Sequence, residues 1–365
     1  MLEPLRQILA RTALDALVLV PGANFRRVFG KDFHQMERPL AVIVPREDEP
    51  AAVVPQLELS SFEPIGFPGQ VFAWRDEEGY MGAFLAAGRA LPQVKPGARI
   101  GVEGQRMRVF DLFALQKALP GAEFIDAHAE ISGIRLHKLP EEIARQREAI
   151  RVSEAALEAT LSEIRVGMTE TEVEAVLLRN LFSHGADGLS FAPIVAAGDN
   201  AAKPHAHARA DYRIKPGDAL LFDFGGTYQG YAADITRTFF VKEVSDHDRA
   251  FYETVLAANE KGRTAARPGM TASDLDDAVL KVLEQSQFAQ FARHKTGHGL
   301  GLDIHEAPQI MRGNGQVLEP GMVFTIEPGL YRDGEAGVRI EDNVVVTDTG
   351  IECLTSFPRE LRLVG

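Results

Sequence analysis

Lys215-Pro216-Gly217-Asp218-Ala219-Leu220-Leu221-Phe222-Asp223-Phe224-Gly225 is answered 104 positions later by Glu319-Pro320-Gly321-Met322-Val323-Phe324-Thr325-Ile326-Glu327-Pro328-Gly329. In both stretches a Pro-Gly turn leads into an apolar run, the run ends in an acid, and glycine stands two residues beyond. A second pair precedes the first at nearly the same offset. Gly167-Met168-Thr169-Glu170-Thr171-Glu172-Val173-Glu174 matches Gly269-Met270-Thr271-Ala272-Ser273-Asp274-Leu275-Asp276, 102 positions on. Each copy puts Thr at a helix N-cap with an acid three residues later, opening an amphipathic helix. The two pairs in one order imply an α+β region built of two similar halves with pseudo-two-fold symmetry, Asp223 and Glu327 at matching strand ends. The competing reading is that both copies use common helix–turn–strand grammar and nothing more.

Upstream, the pattern changes. Leu2, Leu5, Ile8 and Leu9 are spaced as on a helix, and Ala16–Val20 is a short apolar run stopped by Pro21-Gly22, as a buried strand is. Leu40–Pro45 and Ala51–Pro55 read as strands about a charged turn, Tyr80–Leu91 as helix, Arg99–Val102 as strand and Val109–Leu119 as helix. That alternation predicts a separate α/β domain over 1–135. Pro140 with Glu141 and Glu142 is a favourable helix start, running to about Ile164. The boundary therefore falls near 135, with the repeat-bearing domain over 136–365.

Length and composition agree with two globular domains: 365 residues, 45% hydrophobic and 25% charged. Lys+Arg 39 against Asp+Glu 52 gives a formal charge of −13, which repels phosphate backbones and anionic membrane surfaces and argues against nucleic-acid partners. A single cysteine, Cys353, precludes an intrachain disulfide. With no signal-peptide pattern, it predicts a cytoplasmic location. The apolar runs are too short to span a bilayer.

Acids at the ends of apolar strands are awkward structural choices, because a desolvated carboxylate needs a partner. Asp223 follows Ala219–Phe222 and Glu327 follows Met322–Ile326. Asp234 leads into Ile235–Val241, and Glu341 sits within Gly337–Val346. The four could share a metal centre, or they could be paired with the nearby Arg237 and Arg339. Three of the ten histidines fall in His294-Lys295-Thr296-Gly297-His298-Gly299-Leu300-Gly301-Leu302-Asp303-Ile304-His305. The glycines there speak against a regular helix and for close backbone approach to something bound. His205 and His207 form a further small cluster after Pro204. Carboxylates with an imidazole suit Mn²⁺, Co²⁺ or Zn²⁺. Four acids and a histidine exceed one tetrahedral zinc. They fit two ions sharing bridging carboxylates, the arrangement of a dinuclear metallohydrolase.

With these residues in view, a family resemblance is specific. Asp223-Phe224-Gly225, Asp234-Ile235-Thr236-Arg237-Thr238, His294–Gly301, Glu327-Pro328-Gly329 and Arg339-Ile340-Glu341-Asp342, in that order, resemble the Xaa-Pro peptidases, prolidase and aminopeptidase P, of the pita-bread metallopeptidase superfamily. Pro193–Gly198 with Asn200 and Pro204-His205 also match, as does a creatinase-like N-terminal domain. The resemblance implies hydrolysis of the bond between an N-terminal residue and proline in short Xaa-Pro peptides. It implies metal ligands Asp223, Asp234, His298, Glu327 and Glu341, with Asp234 and Glu341 bridging two ions, most simply Mn²⁺. Asp223 completes one ion's ligands, and His298 with Glu327 the other's. A hydroxide held between the ions attacks the carbonyl, and Glu327 handles its proton. His205 resembles the histidine that serves the reacting centre, with His207 its rival. His294 and His305 line the pocket, and Arg339 orients the carboxylates beside it.

One position departs from the pattern. Four residues after His305, dipeptidases of this family carry an arginine that grips the dipeptide carboxylate, and here stands Gln309. Arg312 is a candidate replacement; acceptance of longer peptides, as in aminopeptidase P, is the other. The short interval from Glu327 to Glu341 is more prolidase-like. A homodimer is implied as well, its N-terminal domain contributing to a neighbour's cleft; Trp74 is a candidate contact there or else an ordinary partly buried tryptophan, and Asp32 is a candidate for the peptide's free amine. Methionine aminopeptidase shares the ligands but lacks this N-terminal domain and spaces its last two ligands more widely. Creatinase lacks the metal ligands, and a non-catalytic binding role would be expected to come with eroded ones.

Overall fold

In the computed structural model, which describes residues 1–365, the short apolar runs near the start of the chain become strands. Ala16–Leu19, Ala41–Pro45, Ala51–Pro55 and Arg99–Val102 share a six-stranded sheet with Gln70–Trp74 and Glu123–Asp126. The last two occupy the sheet's edges. In Glu123–Asp126 the exposed residues are the polar Glu123 and Asp126, so no apolar pattern marks it, whereas Gln70–Trp74 exposes Val71 and Ala73 beside Gln70. Ala16–Leu19 runs antiparallel to Ala41–Pro45 and parallel to Arg99–Val102. Side chains alternate between its faces. Leu17 and Leu19 pack with Leu5, Ile8 and Leu9 of the helix Glu3–Arg11, whereas Ala16 and Val18 pack with Phe84, Ala87 and Leu115 of the helices Met81–Arg89 and Val109–Ala118. These elements belong to one compact unit, Met1–Arg135, and Leu136–Gly365 forms a second.

The second unit opens with the helix Pro140–Glu163. Glu142 folds back to accept from the Leu139 N–H at 2.7 Å, satisfying one of the amides a helix start leaves open. Thr169 caps the next helix, Glu170–Ser183. Its Oγ1 accepts from Glu172 N at 3.2 Å while the Glu172 carboxylate accepts from Thr169 N at 2.7 Å. In the second half Thr271 does the same for Ala272–Glu284, which follows the long helix Asp246–Ala265. No helix is long and apolar enough to cross a membrane.

The sequence repeat extends to tertiary pairing. Gly167 N donates to Ile214 O at 2.8 Å and Ile214 N to Met168 O at 2.9 Å; Gly269 N donates to Leu318 O at 2.9 Å and Leu318 N to Met270 O at 2.8 Å. The turn glycines Gly217 and Gly321 have φ of 88° and 87°, a left-handed geometry that other residues adopt only under strain. In one half Ala219–Phe224 lies between Ile194–Ala197 and Ile235–Val241. In the other, Val323–Ile326 lies between Gly297–Gly299 and Asp342–Val346. Shared local grammar does not bring equivalent strands into equivalent long-range pairs, so the unit is a repeat with pseudo-two-fold symmetry. Each half sets one acid near the end of its middle strand and another immediately before the next strand. These are Asp223 and Asp234 in the first, Glu327 and Glu341 in the second.

Candidate metal centre

The strand ends meet at a cavity of about 700 Å³ whose lining includes Asp223, Asp234, His298, Glu327, Glu341 and Arg339. Asp234, His298 and Glu341 are buried, with ligand atoms all within 4.8 Å of one another. Glu327 Oε1 lies 3.3 Å from His298 Nε2, and Asp234 Oδ2 lies 3.6 Å from it. His298 is held for that position by its other nitrogen: Nδ1 is 3.1 Å from the Gly299 carbonyl, which only accepts, so Nδ1 carries the proton and Nε2 offers its lone pair. Burial, then His305, pushes the His298 imidazole down to about 3, so it is neutral.

The glycines beside His298 are required by close approach, but not to a bound group. A Cβ on Gly297 would stand 2.0 Å from Thr325 O, and one on Gly299 2.1 Å from Ala307 O. The backbone approached is that of the neighbouring strands, a correction to the expectation drawn from sequence. Further bonds fix the segment. Asp276 accepts from Thr296 N at 2.7 Å, and Glu327 N donates to Thr296 O at 2.7 Å.

Charge decides between a metal site and a set of internal ion pairs. Arg237 is spent elsewhere: its guanidinium bonds Asp342 at 2.8 Å and the carbonyls of Glu341 and Phe357. Arg339 bonds the Asp223 carboxylate, Thr236 Oγ1 at 3.0 Å and Tyr331 OH at 2.6 Å. One buried guanidinium therefore serves four carboxylates. Glu341 Oε2 accepts from Thr236 Oγ1 at 2.7 Å, but its buried Oε1 has no hydrogen-bond partner. Burial, then Glu341, Asp223 and Glu327, pushes the Asp234 carboxyl well above the ordinary carboxylate range, and burial with Glu327 and Asp223 does the same to Glu341. Burial, against Arg339 and with Asp223, pushes Glu327 up to about 7. An orphaned carboxylate oxygen inside a cluster of acids that repel one another is what divalent ions would relieve, and the donor set fits them.

His205, His294 and His305 also line the cavity, whereas the exposed His207 does not. The His305 ring meets that of His298 edge-on, centroids 4.1 Å apart. His294 Nδ1 is 2.8 Å from the Lys295 carbonyl and its Nε2 2.8 Å from Tyr331 OH. Since burial, then Arg339, pushes this imidazole down to about 4, Nδ1 carries the proton and Nε2 accepts from the tyrosine. Gln309 lies opposite His298 in the strand pairing, where Lys295 Nζ donates to its Oε1 and its own Nε2 donates to Glu306 O at 2.8 Å. Arg312 is outside the cavity, bonded to Asp277 and Glu284 at 2.6 Å each. In the first unit Trp74 is buried and donates to Pro39 O at 3.3 Å, and the exposed Asp32 faces Arg26 at 3.7 Å.

Tyr331, Thr236 and Lys295 are the site residues that sequence reasoning passed over. Thr236 stands two residues after Asp234, the same-face spacing of a strand, which was a usable signal. Tyr331 gave none, since a tyrosine in an apolar strand reads as core.

Comparison with known proteins agrees with this geometry. Residues 144–348 match the model of metallopeptidase family M24, and residues 1–137 that of the creatinase/prolidase N-terminal domain. An Xaa-Pro dipeptidase of Lactobacillus helveticus is 32% identical over 365 residues, covering 100% of this chain and 98% of that one. The solved structure of an Xaa-Pro dipeptidase from Bacillus anthracis superposes with a TM-score of 0.90 at 30% identity, covering 100% of this chain and 99% of that one. A prolidase from Thermococcus sibiricus superposes with a TM-score of 0.92 at 31% identity, over 98% and 97%. The chain thus belongs to metallopeptidase family M24, in the branch that carries a creatinase/prolidase N-terminal domain.

Proposed function

We propose that the protein is an Xaa-Pro dipeptidase, hydrolysing the bond between an N-terminal residue and proline with two divalent ions, Mn²⁺ foremost. The observation that carries this reading is the gathering of four carboxylates and the His298 imidazole about one cavity with a single buried guanidinium. The names of the two dipeptidases and the prolidase above supply the substrate class. Oxygen donors with one imidazole suit Mn²⁺, then Co²⁺ or Zn²⁺. Two dications balance four carboxylates, and five side chains exceed the needs of one tetrahedral ion.

Ions held there supply Lewis acidity and make water a stronger acid. Asp234 and Glu341, the most buried of the acids, would hold the ions together with Asp223, His298 and Glu327. Glu327 accepts the proton of the attacking water on a carboxylate oxygen and delivers it to the departing proline nitrogen. His205 and His305 face the cavity and donate toward the carbonyl oxygen as it gains charge. Phe191, Ile194 and Ile304 give the proline ring an apolar wall. Arg339 fixes the Asp223 carboxylate, and Thr236 fixes both Arg339 and Glu341.

Hydrolysis of Ala-Pro, Ala-Pro-Pro and a longer Xaa-Pro peptide, each with Mn²⁺ or after chelation, tests the reading. Metal-dependent cleavage of Ala-Pro in preference to the others is expected. Preference for the longer peptides would make the protein an Xaa-Pro aminopeptidase, the reading that a neutral Gln309 favours. No metal-dependent cleavage of any of them ends the catalytic reading. The likeness also carries the expectation of a cytoplasmic homodimer, which sedimentation of the purified protein checks as to assembly.

A further inference from the structure

A dipeptide ending in proline brings a free carboxylate into the cavity, one residue beyond the bond to be cut. Desolvating that anion without a cation is costly. Three cationic side chains line the cavity: Arg293, Lys295 and Arg339. Arg339 is wholly buried and uses its guanidinium on Asp223, Thr236 and Tyr331. Arg293 pairs with Asp333 at 2.8 Å. Lys295 differs from both, because the group its ammonium bonds is the neutral amide of Gln309. The amide is oriented for that role, since its NH₂ donates to Glu306 O at 2.8 Å and so turns the carbonyl oxygen toward Lys295. An amide dipole positions an ammonium without neutralising it, and two of the three N–H donors are left for another acceptor.

We propose that Lys295, positioned by Gln309, binds the C-terminal carboxylate of the dipeptide substrate and makes the free acid the preferred substrate. The proposal rests on the dipeptidase reading above. It gives Gln309 a use: with arginine missing at that position, the positive charge comes from the segment leading into the facing strand Gly297–Gly299. The ammonium is also partly desolvated, burial being the chief influence lowering its pKa while Glu327 and Asp276 oppose it. A carboxylate ligand satisfies such a cation better than water held in a narrow cavity. A longer peptide carries a neutral amide where the dipeptide carries its charge, and forgoes the ion pair.

The test compares kcat/KM for Ala-Pro and for Ala-Pro amide, using the Mn²⁺-loaded full-length protein. The wild type is expected to prefer the acid by roughly 10- to 100-fold, the range of one charge-assisted hydrogen bond. Lys295→Met is expected to abolish the preference, chiefly by raising KM for the acid, while Lys295→Arg retains most of it. The ratio is insensitive to a misfolded fraction, which scales both substrates alike. A Lys295→Met variant that keeps the wild-type ratio overturns the proposal. So does an Arg293→Gln variant that collapses the ratio instead, because the anchor is then Arg293. A wild type that cleaves neither compound removes the dipeptidase reading, and this proposal falls with it. A wild type that cleaves both equally leaves the peptidase reading standing and removes only the carboxylate anchor.

Discussion

Asp234 sits in the middle of the acid cluster, 4% exposed, with no arginine or lysine bonded to its carboxylate. Asp234→Asn keeps the shape and removes the charge. It is expected to cost at least about 100-fold in rate, above the range for residues that merely orient ligands, and to lose bound metal. Metal analysis beside kinetics checks both. The acids also set a pH dependence. Glu327 has a carboxyl raised from its ordinary 4.5 to about 7. Between those values the chelated folded protein keeps a proton that the unfolded chain has lost, so its stability falls as pH rises through that window. Metal requires the ionised carboxylates and must displace such protons. Affinity is therefore expected to climb with pH over the same range, with proton release visible by calorimetry in two buffers of different ionisation heat. At this scale the sequence marks a residue when its chemistry conflicts with its surroundings: an acid in an apolar strand, a histidine among glycines. Tyr331 conflicts with nothing, and its bonds to Arg339 across its own hairpin and to His294 in a distant loop become visible only in the folded chain.

Among the elements, the Thr-capped helices were legible, while the long helix Asp246–Ala265 and the edge strands went unread. Thr169 and Thr271 announce two helices because the capping chemistry is local, complete within four residues. Thr169→Ala and Thr271→Ala are each expected to destabilise the protein by about 1 kcal/mol, read from urea unfolding of the full chain, with little change in rate. Glu123–Asp126 escapes sequence reading because an edge strand is paired on one side and keeps polar residues toward water, while Gln70–Trp74 was passed over although it is apolar except for Gln70. The segment around His298 was read correctly as non-helical and incorrectly as to why. Its glycines admit the backbones of Thr325 and Ala307, and long-range strand contacts of that kind leave no trace in local spacing.

For the whole molecule, metal binding is expected to stabilise Leu136–Gly365 and leave Met1–Arg135 as it was, because the clustered ligands lie in the former. Ions at 100 times their dissociation constant contribute about 2.7 kcal/mol. Hydrogen exchange with and without chelator checks this: protection should drop in Ile235–Val241 and Asp342–Val346 and persist in Ala16–Leu19 and Ala41–Pro45. The repeat was legible at this scale because duplication preserved turns and caps at an almost constant offset. What diverged between the halves is equally informative. Ala196 stands 102 positions before His298, the same offset that separates Gly167 from Gly269, and it lies on the strand equivalent to that of the histidine. The acids come in matched pairs, yet the imidazole of His298 and the cations of Lys295 and Arg339 all come from the later half. A peptide bond has a direction, and a centre of true two-fold symmetry would receive a dipeptide equally well forwards or backwards. The matched acids hold charge without regard to direction, while the unmatched imidazole and cations tell one end of the peptide from the other.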